Sequence, residues 1–385
     1  MYMVAGRTDY RGMALPEKDS DAAPALKEIF NMARIHHIAD EASAVSPAFD
    51  RERFIADCAG DLDQLSLMAR LRRVAESLHA ALPGDYTSNV AVLRELAPRL
   101  NSGFVTMALP EYVALYGAED FETSMEVLKY LTTFGSSEFA VRHFLRRDLS
   151  RTLAVMERWA HDENEHVRRL ASEGSRPRLP WSFRIRPLML DPSPIAPILE
   201  TLKADPSLYV RRSVANSLND ITKDNPTWAL DRIESWSLDN NDTAWIARHA
   251  LRSLIKQGDR RALMVIGAGK AAQVKLSDLA VSPAAITLGQ TIEIAFELRS
   301  TADEPQRLVV DYAIHYVKKS GGSAAKVFKL KTLDLAAHAI ERVRKRQAIA
   351  NFTTRVHYPG RHEIEILVNG EVHGRTAFEL LPDAP

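Results

Sequence analysis

Three segments of the chain repeat one helical pattern at intervals of about 40 residues, and this repeat restricts the possible folds more than any other feature. They read HVRRLASEGSRP (166–177), YVRRSVANSLND (209–220) and WIARHALRSLIK (245–256), and they align without gaps. Each follows an acidic or Asn-rich turn of the kind that starts a helix. Because one helix pair cannot bury its apolar stripe alone, such units stack on their neighbours. The repeats therefore predict a HEAT-like solenoid.

The hydrophobic period changes near residue 270. From Ala25 to about Lys270, apolar residues recur three and four apart, as they do in amphipathic helices. Later segments such as TIEIAFEL (291–298) alternate in the manner of strands, and Asn369-Gly370 suits a two-residue hairpin turn. The predicted fold is mainly α, a HEAT-like α-helical solenoid followed by a C-terminal all-β immunoglobulin-like sandwich. The predicted domains are a loose N-terminal arm (1–24), a helical domain (25–270) and a β-sandwich (271–385).

Composition excludes several classes of protein. With 385 residues, 46% hydrophobic and 26% charged, the chain is typical of soluble proteins with two or three domains. It has no long apolar run and no signal-peptide pattern, so we expect a cytoplasmic monomer without a membrane partner. The single cysteine, Cys58, excludes an internal disulfide. Without a Gly-rich phosphate loop, a dinucleotide fingerprint or spaced His and Cys residues, we expect neither a cofactor nor a metal.

Helical spacing places the polar residues of the three repeats in rows. Residues four apart share one face of a helix, as Arg169 and Glu173 do in the first repeat. If the repeats stack, the first row contains Arg169, Arg212 and Arg248, and the second contains Glu173, Asn216 and Arg252. These rows predict a concave basic wall, and the planar fork of arginine suits phosphate. The alternative is a ladder of ordinary ion pairs that connects neighbouring repeats.

Glu173 is the one acid in a span rich in arginine, residues 168–186. The arginines of this span are Arg168, Arg169, Arg176, Arg178, Arg184 and Arg186. Together with SSEFAVRHFLRRD (136–148) and YVRRSVANSLNDI (209–221), the run EGSRPRLPW (173–181) resembles the HEAT-like alkylpurine DNA glycosylases. The chain is most similar to their C type, in which an immunoglobulin-like domain follows the solenoid. The resemblance covers about residues 25–385.

The resemblance implies a bacterial enzyme of base excision repair that acts on double-stranded DNA and is on the nucleoid when bound to it. Such enzymes hydrolyse the N-glycosidic bond of cationic bases, chiefly 3-methyladenine and, for the C type, 3-methylcytosine, and are thought not to flip the base. A cationic base leaves readily, so the enzyme has to stabilise the sugar oxocarbenium ion and position a water. One carboxylate at about 4 Å supplies roughly 4 kcal/mol at an effective dielectric near 20. That energy corresponds to a rate factor of about a thousand.

The resemblance also implies roles for individual residues. The carboxylates assigned to catalysis are Glu138, Glu173 and Asp220. Trp181 is expected to press on the deoxyribose or to stack beside the lesion, although a tryptophan after proline often packs in a core. The other expected DNA contacts are Arg142, Arg169, Arg176, Arg178, Arg212, Asn216, Arg248, Arg252, Lys318 and Lys319, of which Arg169, Arg212 and Arg248 are the best phosphate candidates.

Alternative interpretations stay open at this point. The three acids could pair within their helices, with Arg142, Arg169 and Asn216 respectively. Lys318 and Lys319 could belong to a solvated strand end that discourages edge pairing. The alternative function is a non-catalytic HEAT scaffold that binds nucleic acid or a protein partner.

Overall fold

The computed structural model describes residues 26–351 and 356–382, so the predicted arm at 1–24 lies outside the described residues. The chain divides into two compact units, Met1–Gly117 and Ala118–Pro385. Helices form the first unit and the beginning of the second, and strands follow, which agrees with the predicted fold class. The predicted domain bounds stay a prediction. None of the described helices is both long enough and apolar enough to cross a membrane.

The first unit consists of short helices with polar caps. Its α-helices are α1 (Met32–Val45), α2 (Arg51–Ala59), α3 (Leu67–Ala81), α4 (Tyr86–Leu96), α5 (Gly103–Thr106) and α6 (Ala108–Tyr116), and 3-10 turns lie at Leu26–Phe30, Leu62–Gln64 and Ala97–Arg99. Side chains of Asn31, Asp50, Ser66 and Asp85 accept hydrogen bonds from the first turns of α1 to α4. Caps of this kind each stabilise a helix by about 1 kcal/mol.

The helices of the second unit contain the three repeats. They are α7 (Phe121–Leu131), α8 (Val141–Arg147), α9 (Leu149–Trp159), α10 (Glu165–Gly174), α11 (Arg186–Leu190), α12 (Ala196–Leu202), α13 (Leu208–Ile221), α14 (Pro226–Glu234), α15 (Asn241–Ala250), α16 (Arg252–Lys256) and α17 (Arg260–Val265), with a 3-10 turn at Ser193–Ile195. The repeat helices α10, α13 and α15 pack on one another in chain order. Their buried aliphatic residues Val167, Val210 and Ile246 occupy equivalent positions. Stacking therefore joins the apolar stripes of the repeats into one core.

Two sheets complete the second unit. The strands are β1 (Val274–Ser282), β2 (Ala285–Ile286), β3 (Thr291–Ser300), β4 (Gln306–Val317), β5 (Ser323–Leu335), β6 (Ile340–Ala348), β7 (Gly360–Val368) and β8 (Glu371–Leu380). One sheet has the order β1-β3-β6 and the other β2-β8-β7-β4-β5, antiparallel except for the β2–β8 pair. Strand β3 alternates between buried and half-buried residues for most of its length. Its buried side chains, including Phe296, join those of Tyr312 and Phe378 in a single core.

The β7–β8 hairpin meets the turn between α16 and α17. Asn369 and Gly370 both have positive φ, as the predicted two-residue turn requires. The Asn369 side chain accepts a hydrogen bond from the Val309 amide at 2.9 Å and donates one to the Lys270 carbonyl at 3.0 Å. A Cβ added to Gly370 would lie 2.3 Å from the Cα atom of Gly258. The hairpin therefore requires glycine at this contact.

Gly370→Ala is expected to destabilise the protein more than Gly321→Ala. The two glycines have nearly equal φ, +83° and +82°, but a Cβ at Gly321 meets nothing within 4 Å. In both variants the left-handed backbone lowers the free energy of unfolding by roughly 1–2 kcal/mol. In Gly370→Ala, overlap of the new Cβ with the Gly258 backbone lowers it by about 1–3 kcal/mol more. Urea denaturation of both variants measures the difference. Equal losses of stability would contradict the close approach of Gly258 and Gly370.

Candidate active site

The three candidate carboxylates lie where helices of neighbouring repeats begin or end. Glu138 precedes α8, Glu173 lies in the last turn of α10, and Asp220 lies in the last turn of α13. Glu173 is 6% exposed and Asp220 is 3% exposed, whereas Glu138 is half-buried. A carboxylate at the C-terminal end of a helix faces the negative end of the helix dipole. Glu173 and Asp220 therefore need nearby cations to stay buried and ionised.

Arginines supply those cations. Arg169 Nη1 lies 2.7 Å from Glu138 Oε2, and its Nη2 lies 3.7 Å from Glu173 Oε1. Arg176 Nη1 lies 2.5 Å from Glu173 Oε1, and its Nε and Nη2 each lie 2.8 Å from Asp220 Oδ2. Lys223 Nζ approaches Asp220 Oδ1 to 2.8 Å. Acids and bases thus alternate in one connected series, which we call the charge chain: Glu138, Arg169, Glu173, Arg176, Asp220 and Lys223.

The charge chain keeps Glu173 ionised. Burial raises the pKa of its carboxyl, but the positive charges of Arg169 and Arg176 and a hydrogen bond from Ser213 outweigh burial and hold the pKa below the ordinary value. Ser213 Oγ also lies 2.6 Å from Ser172 Oγ, so the hydroxyl is held from both sides. At neutral pH the site therefore presents a buried anion beside buried cations.

Trp181 lies on a turn that follows α10, within residues 175–185, which we call the tryptophan loop. The Ile185 amide donates to the Pro177 carbonyl at 3.1 Å and thereby closes the loop. Trp181 is 63% exposed, so the alternative that it packs in a core is wrong. Its φ of 64° is left-handed, a conformation that is uncommon for a bulky residue and costs about 1–3 kcal/mol. An exposed aromatic ring held in a strained backbone is typical of a functional surface.

Two of the arginines expected to contact DNA are enclosed in the protein. Arg142 is fully buried and donates to carbonyl oxygens, and burial together with the charge of Arg176 lowers its pKa to about 10. Arg176 is buried between Glu173 and Asp220. The Arg142 guanidinium is occupied by backbone carbonyls and the Arg176 guanidinium by two carboxylates, so neither binds a phosphate in this conformation, which corrects the expectation from the sequence. A charged residue type alone does not reveal that its guanidinium is enclosed.

The other residues expected to contact DNA differ in their exposure and in their partners. Arg212, Arg248, Lys318 and Lys319 are exposed, the two lysines at the β4–β5 turn. Arg178 is half-buried and pairs with Asp224 through two hydrogen bonds of 2.6 and 2.5 Å. Arg252 Nη2 donates to Asn216 Oδ1 at 3.0 Å, so these two members of the second predicted row meet.

The alternative that each acid pairs within its own helix has a different outcome for each acid. Glu173 does contact Arg169, four residues before it, at 3.7 Å. Glu138 instead pairs with Arg169 on another helix, and Asp220 pairs with Arg176 and Lys223. Glu138 and Asp220 therefore connect separate segments of the chain, whereas Glu173 contacts an arginine of its own helix.

Three residues of the site were not among the sequence candidates. Lys223 follows Asp220 by three positions, and helical spacing could have revealed this pair. Tyr209 lies beneath the Arg169 guanidinium, whose Cζ is 4.7 Å from the ring centre, and no local signal in the sequence marks this contact. Ser213 contacts Ser172 across two repeats. In residues 26–351 and 356–382, no group of three or more His, Cys, Asp or Glu side chains is arranged to hold a metal ion.

Comparisons with known proteins match both parts of the chain. Residues 120–254 match the family described as DNA alkylation repair enzyme, and residues 275–382 match the family described as uncharacterised protein YhaZ, C-terminal Ig-like domain. The YhaZ protein of Bacillus subtilis (strain 168) is 40% identical over 356 residues, which cover 92% of this chain and 99% of that protein.

One solved structure is similar over nearly the whole chain. It is the Pseudomonas fluorescens alkylpurine DNA glycosylase AlkC bound to DNA containing an abasic site analog. The match has a TM-score of 0.92 and 61% sequence identity, and it covers 93% of this chain and 100% of that one. The fold class and the resemblance stated from the sequence are both confirmed. The chain belongs to the AlkC family of alkylpurine DNA glycosylases.

Proposed function

We propose that this protein releases cationic N-alkylated bases, 3-methyladenine and 3-methylcytosine, from double-stranded DNA in base excision repair. The observation that carries the proposal is the meeting of Glu173 and Asp220 on the shared guanidinium of Arg176. Two acids from separate repeats that share one guanidinium support a single catalytic centre built from both repeats. The DNA-bound AlkC relative supports DNA as the partner.

The proposed reaction is hydrolysis at the C1′ atom of the lesion nucleotide. The bond between C1′ and the base nitrogen breaks, and its electron pair neutralises the cationic base. The sugar then carries the positive charge as an oxocarbenium ion, which the ionised Glu173 stabilises electrostatically. Water adds to C1′, and a carboxylate of the charge chain accepts the proton that the water loses. Because the base leaves as a neutral molecule, the site needs no strong general acid.

The exposed residues have roles in holding DNA in this proposal. Trp181 presses on the deoxyribose or stacks beside the lesion, with the base unflipped, and its exposure supports contact with DNA. Arg212 and Arg248 neutralise phosphates, with Lys318 and Lys319 as further contacts. Arg169 is not a phosphate contact in this proposal, because its guanidinium forms an ion pair with Glu138 and lies over the Tyr209 ring.

Release of free base from methylated DNA tests the proposed function. The wild-type protein is incubated with DNA that contains 3-methyladenine or 3-methylcytosine, and chromatography quantifies the released base. We expect release well above the spontaneous rate for both lesions. Release at the spontaneous rate only, with intact DNA binding, would contradict the proposal and favour a DNA-binding scaffold.

Arg248→Gln is expected to weaken DNA binding and its dependence on salt. Loss of one phosphate contact makes the negative slope of log K against log salt concentration shallower by about 0.9. Fluorescence anisotropy between roughly 50 and 200 mM salt measures this slope. Arg261→Gln is the matched control, because Arg261 is paired with Asp231 and Glu234. If both variants keep the wild-type slope, Arg248 does not contact a phosphate.

A further inference from the structure

Arg142 lies in the first turn of α8 and holds three carbonyl groups of another part of the chain. Its Nη1 donates to the Gly174 carbonyl at 2.9 Å and to the Arg176 carbonyl at 2.6 Å, and its Nη2 donates to the Phe183 carbonyl. The side chain is fully buried. These carbonyls come from the end of α10 and from both sides of Trp181. One guanidinium therefore bridges the two ends of the tryptophan loop.

The end of α10 is fixed against α8 beside this contact. A Cβ added to Gly174 would lie 2.5 Å from Val141 Cγ1, so the two helices approach as closely as glycine permits. The last carbonyls of a helix have no partner within the helix. Arg142 satisfies one of them at Gly174, and its positive charge also suits the negative end of the helix dipole.

The geometry requires arginine in particular. A guanidinium presents five N–H donors in a planar fork, whereas an ammonium is a compact charge on a flexible stem. Three carbonyls at the two ends of a loop match the fork. Burying this cation is costly even with the charges of Glu138, Glu173 and Asp220 nearby, so we would expect an apolar residue here if packing were the only requirement.

The left-handed backbone of Trp181 also has to be held in place. Trp181 is exposed, so few of its own contacts can hold its left-handed backbone in place. A strained conformation persists only when the surrounding structure fixes it. Within the tryptophan loop, the Arg142 contacts at Arg176 and Phe183 lie on either side of Trp181 and can provide this restraint.

We propose that Arg142 is a positioning residue for base release, which fixes the tryptophan loop so that Trp181 is presented to the lesion nucleotide. The proposal rests on the proposed function and gives Arg142 a role other than phosphate binding. Arg142 acts through the loop and does not touch the substrate. Loss of the three hydrogen bonds from the Arg142 guanidinium should therefore affect catalysis mainly through the position of Trp181.

A double-mutant cycle between Arg142→Lys and Trp181→Ala tests this coupling. Arg142→Lys keeps the charge, but its single ammonium nitrogen lacks the fork that reaches carbonyls at both ends of the loop. We expect kcat for base release to fall about 100-fold, as for a misplaced group. DNA affinity should change less than about threefold. In the Trp181→Ala background, the same substitution should cost at least about tenfold less, because coupled residues are non-additive. Additive effects would overturn the proposal.

Arg146→Gln is the matched control. Arg146 lies on the same helix and places its Cζ atom 4.5 Å from the centre of the Phe183 ring, but it is exposed. Its substitution should leave kcat within about twofold of wild type. A loss as large as that of Arg142→Lys would show that any contact with Phe183 matters, and would overturn the assignment to the carbonyl fork.

Hydrogen exchange of the wild-type protein tests the positioning without any enzyme assay. The Ile185 amide, which closes the loop on Pro177, should be protected to a degree similar to the amides of α10. Exchange at the rate of an exposed loop would overturn the proposal, even if Arg142→Lys fails to fold. If wild type releases no base but Ile185 is protected, the proposed function fails while the restraint of the loop stands.

Discussion

Glu173→Gln is expected to slow release of 3-methyladenine about a thousandfold while DNA binding is retained. The substitution removes the negative charge and keeps the shape of the side chain. An anion about 4 Å from the developing oxocarbenium ion contributes roughly 4 kcal/mol at an effective dielectric near 20, which corresponds to a factor of about a thousand in rate. Single-turnover kinetics with excess enzyme measures the chemical step, and fluorescence anisotropy measures the DNA affinity.

The control for this experiment is an acid that makes similar contacts outside the charge chain. Glu200 accepts hydrogen bonds from Arg232 at 3.1 Å and from Trp236 at 2.9 Å, and so connects α12 to α14. Glu200→Gln should leave the rate of base release unchanged. A loss of less than about tenfold for Glu173→Gln would move the catalytic role to Glu138 or Asp220. Those carboxylates are tested by Glu138→Gln and Asp220→Asn in the same assay.

The fold was predictable from the sequence because its periodicities extend over long stretches. A helical period that continues through three repeats leaves few alternatives to a solenoid. The Asn369-Gly370 turn follows from the positive φ that both residues tolerate. The close approach of Gly258 and Gly370 was not predictable, because it depends on where the hairpin meets the helices.

The site was predictable only where its contacts are local. The pair of Arg169 and Glu173 follows from helical spacing, and the structure shows it at 3.7 Å. The contact between Arg176 and Asp220 joins a loop to a helix of the next repeat. Helical spacing rules relate residues three or four apart, so they cannot predict a contact between residues this far apart in the chain. Arg142 was misassigned for a related reason. Its partners are backbone carbonyls, which have no signature in the sequence.

Arg176→Met is expected to be the most destabilising substitution in the charge chain. The variant removes the cation that Glu173 and Asp220 share and leaves two buried carboxylates near each other. Removing one partner of a buried ion pair costs about 3–5 kcal/mol. Arg169 and Lys223 still compensate part of the charge, so a loss near the lower end of this range is expected. Urea denaturation at neutral pH measures the loss.

The pH dependence of stability should change sign in this variant. In wild type, the lowered pKa of Glu173 stabilises the folded protein above the ordinary glutamate pKa, and this contribution is lost as the pH falls through the folded value. Without Arg176, burial and the nearby negative charge of Asp220 should raise the pKa of the Glu173 carboxyl above that of the unfolded chain. The folded variant then binds protons first, so it should gain stability as the pH falls from about 7.5 to about 5.5, where wild type does not.

Arg178→Met separates this effect from the general loss of an arginine. Arg178 and Asp224 form a closely spaced pair, but both side chains are about one-fifth exposed, 22% and 20%. Ion pairs that are open to solvent contribute about 0–1 kcal/mol, so this variant should lose little stability and keep the wild-type dependence on pH. If the two variants lose equal stability and neither gains any on acidification, Arg176 is not the cation that lets Glu173 and Asp220 remain buried and charged together. If only Arg176→Met recovers at low pH, the arginine is required because it compensates the charge of two buried acids in one site.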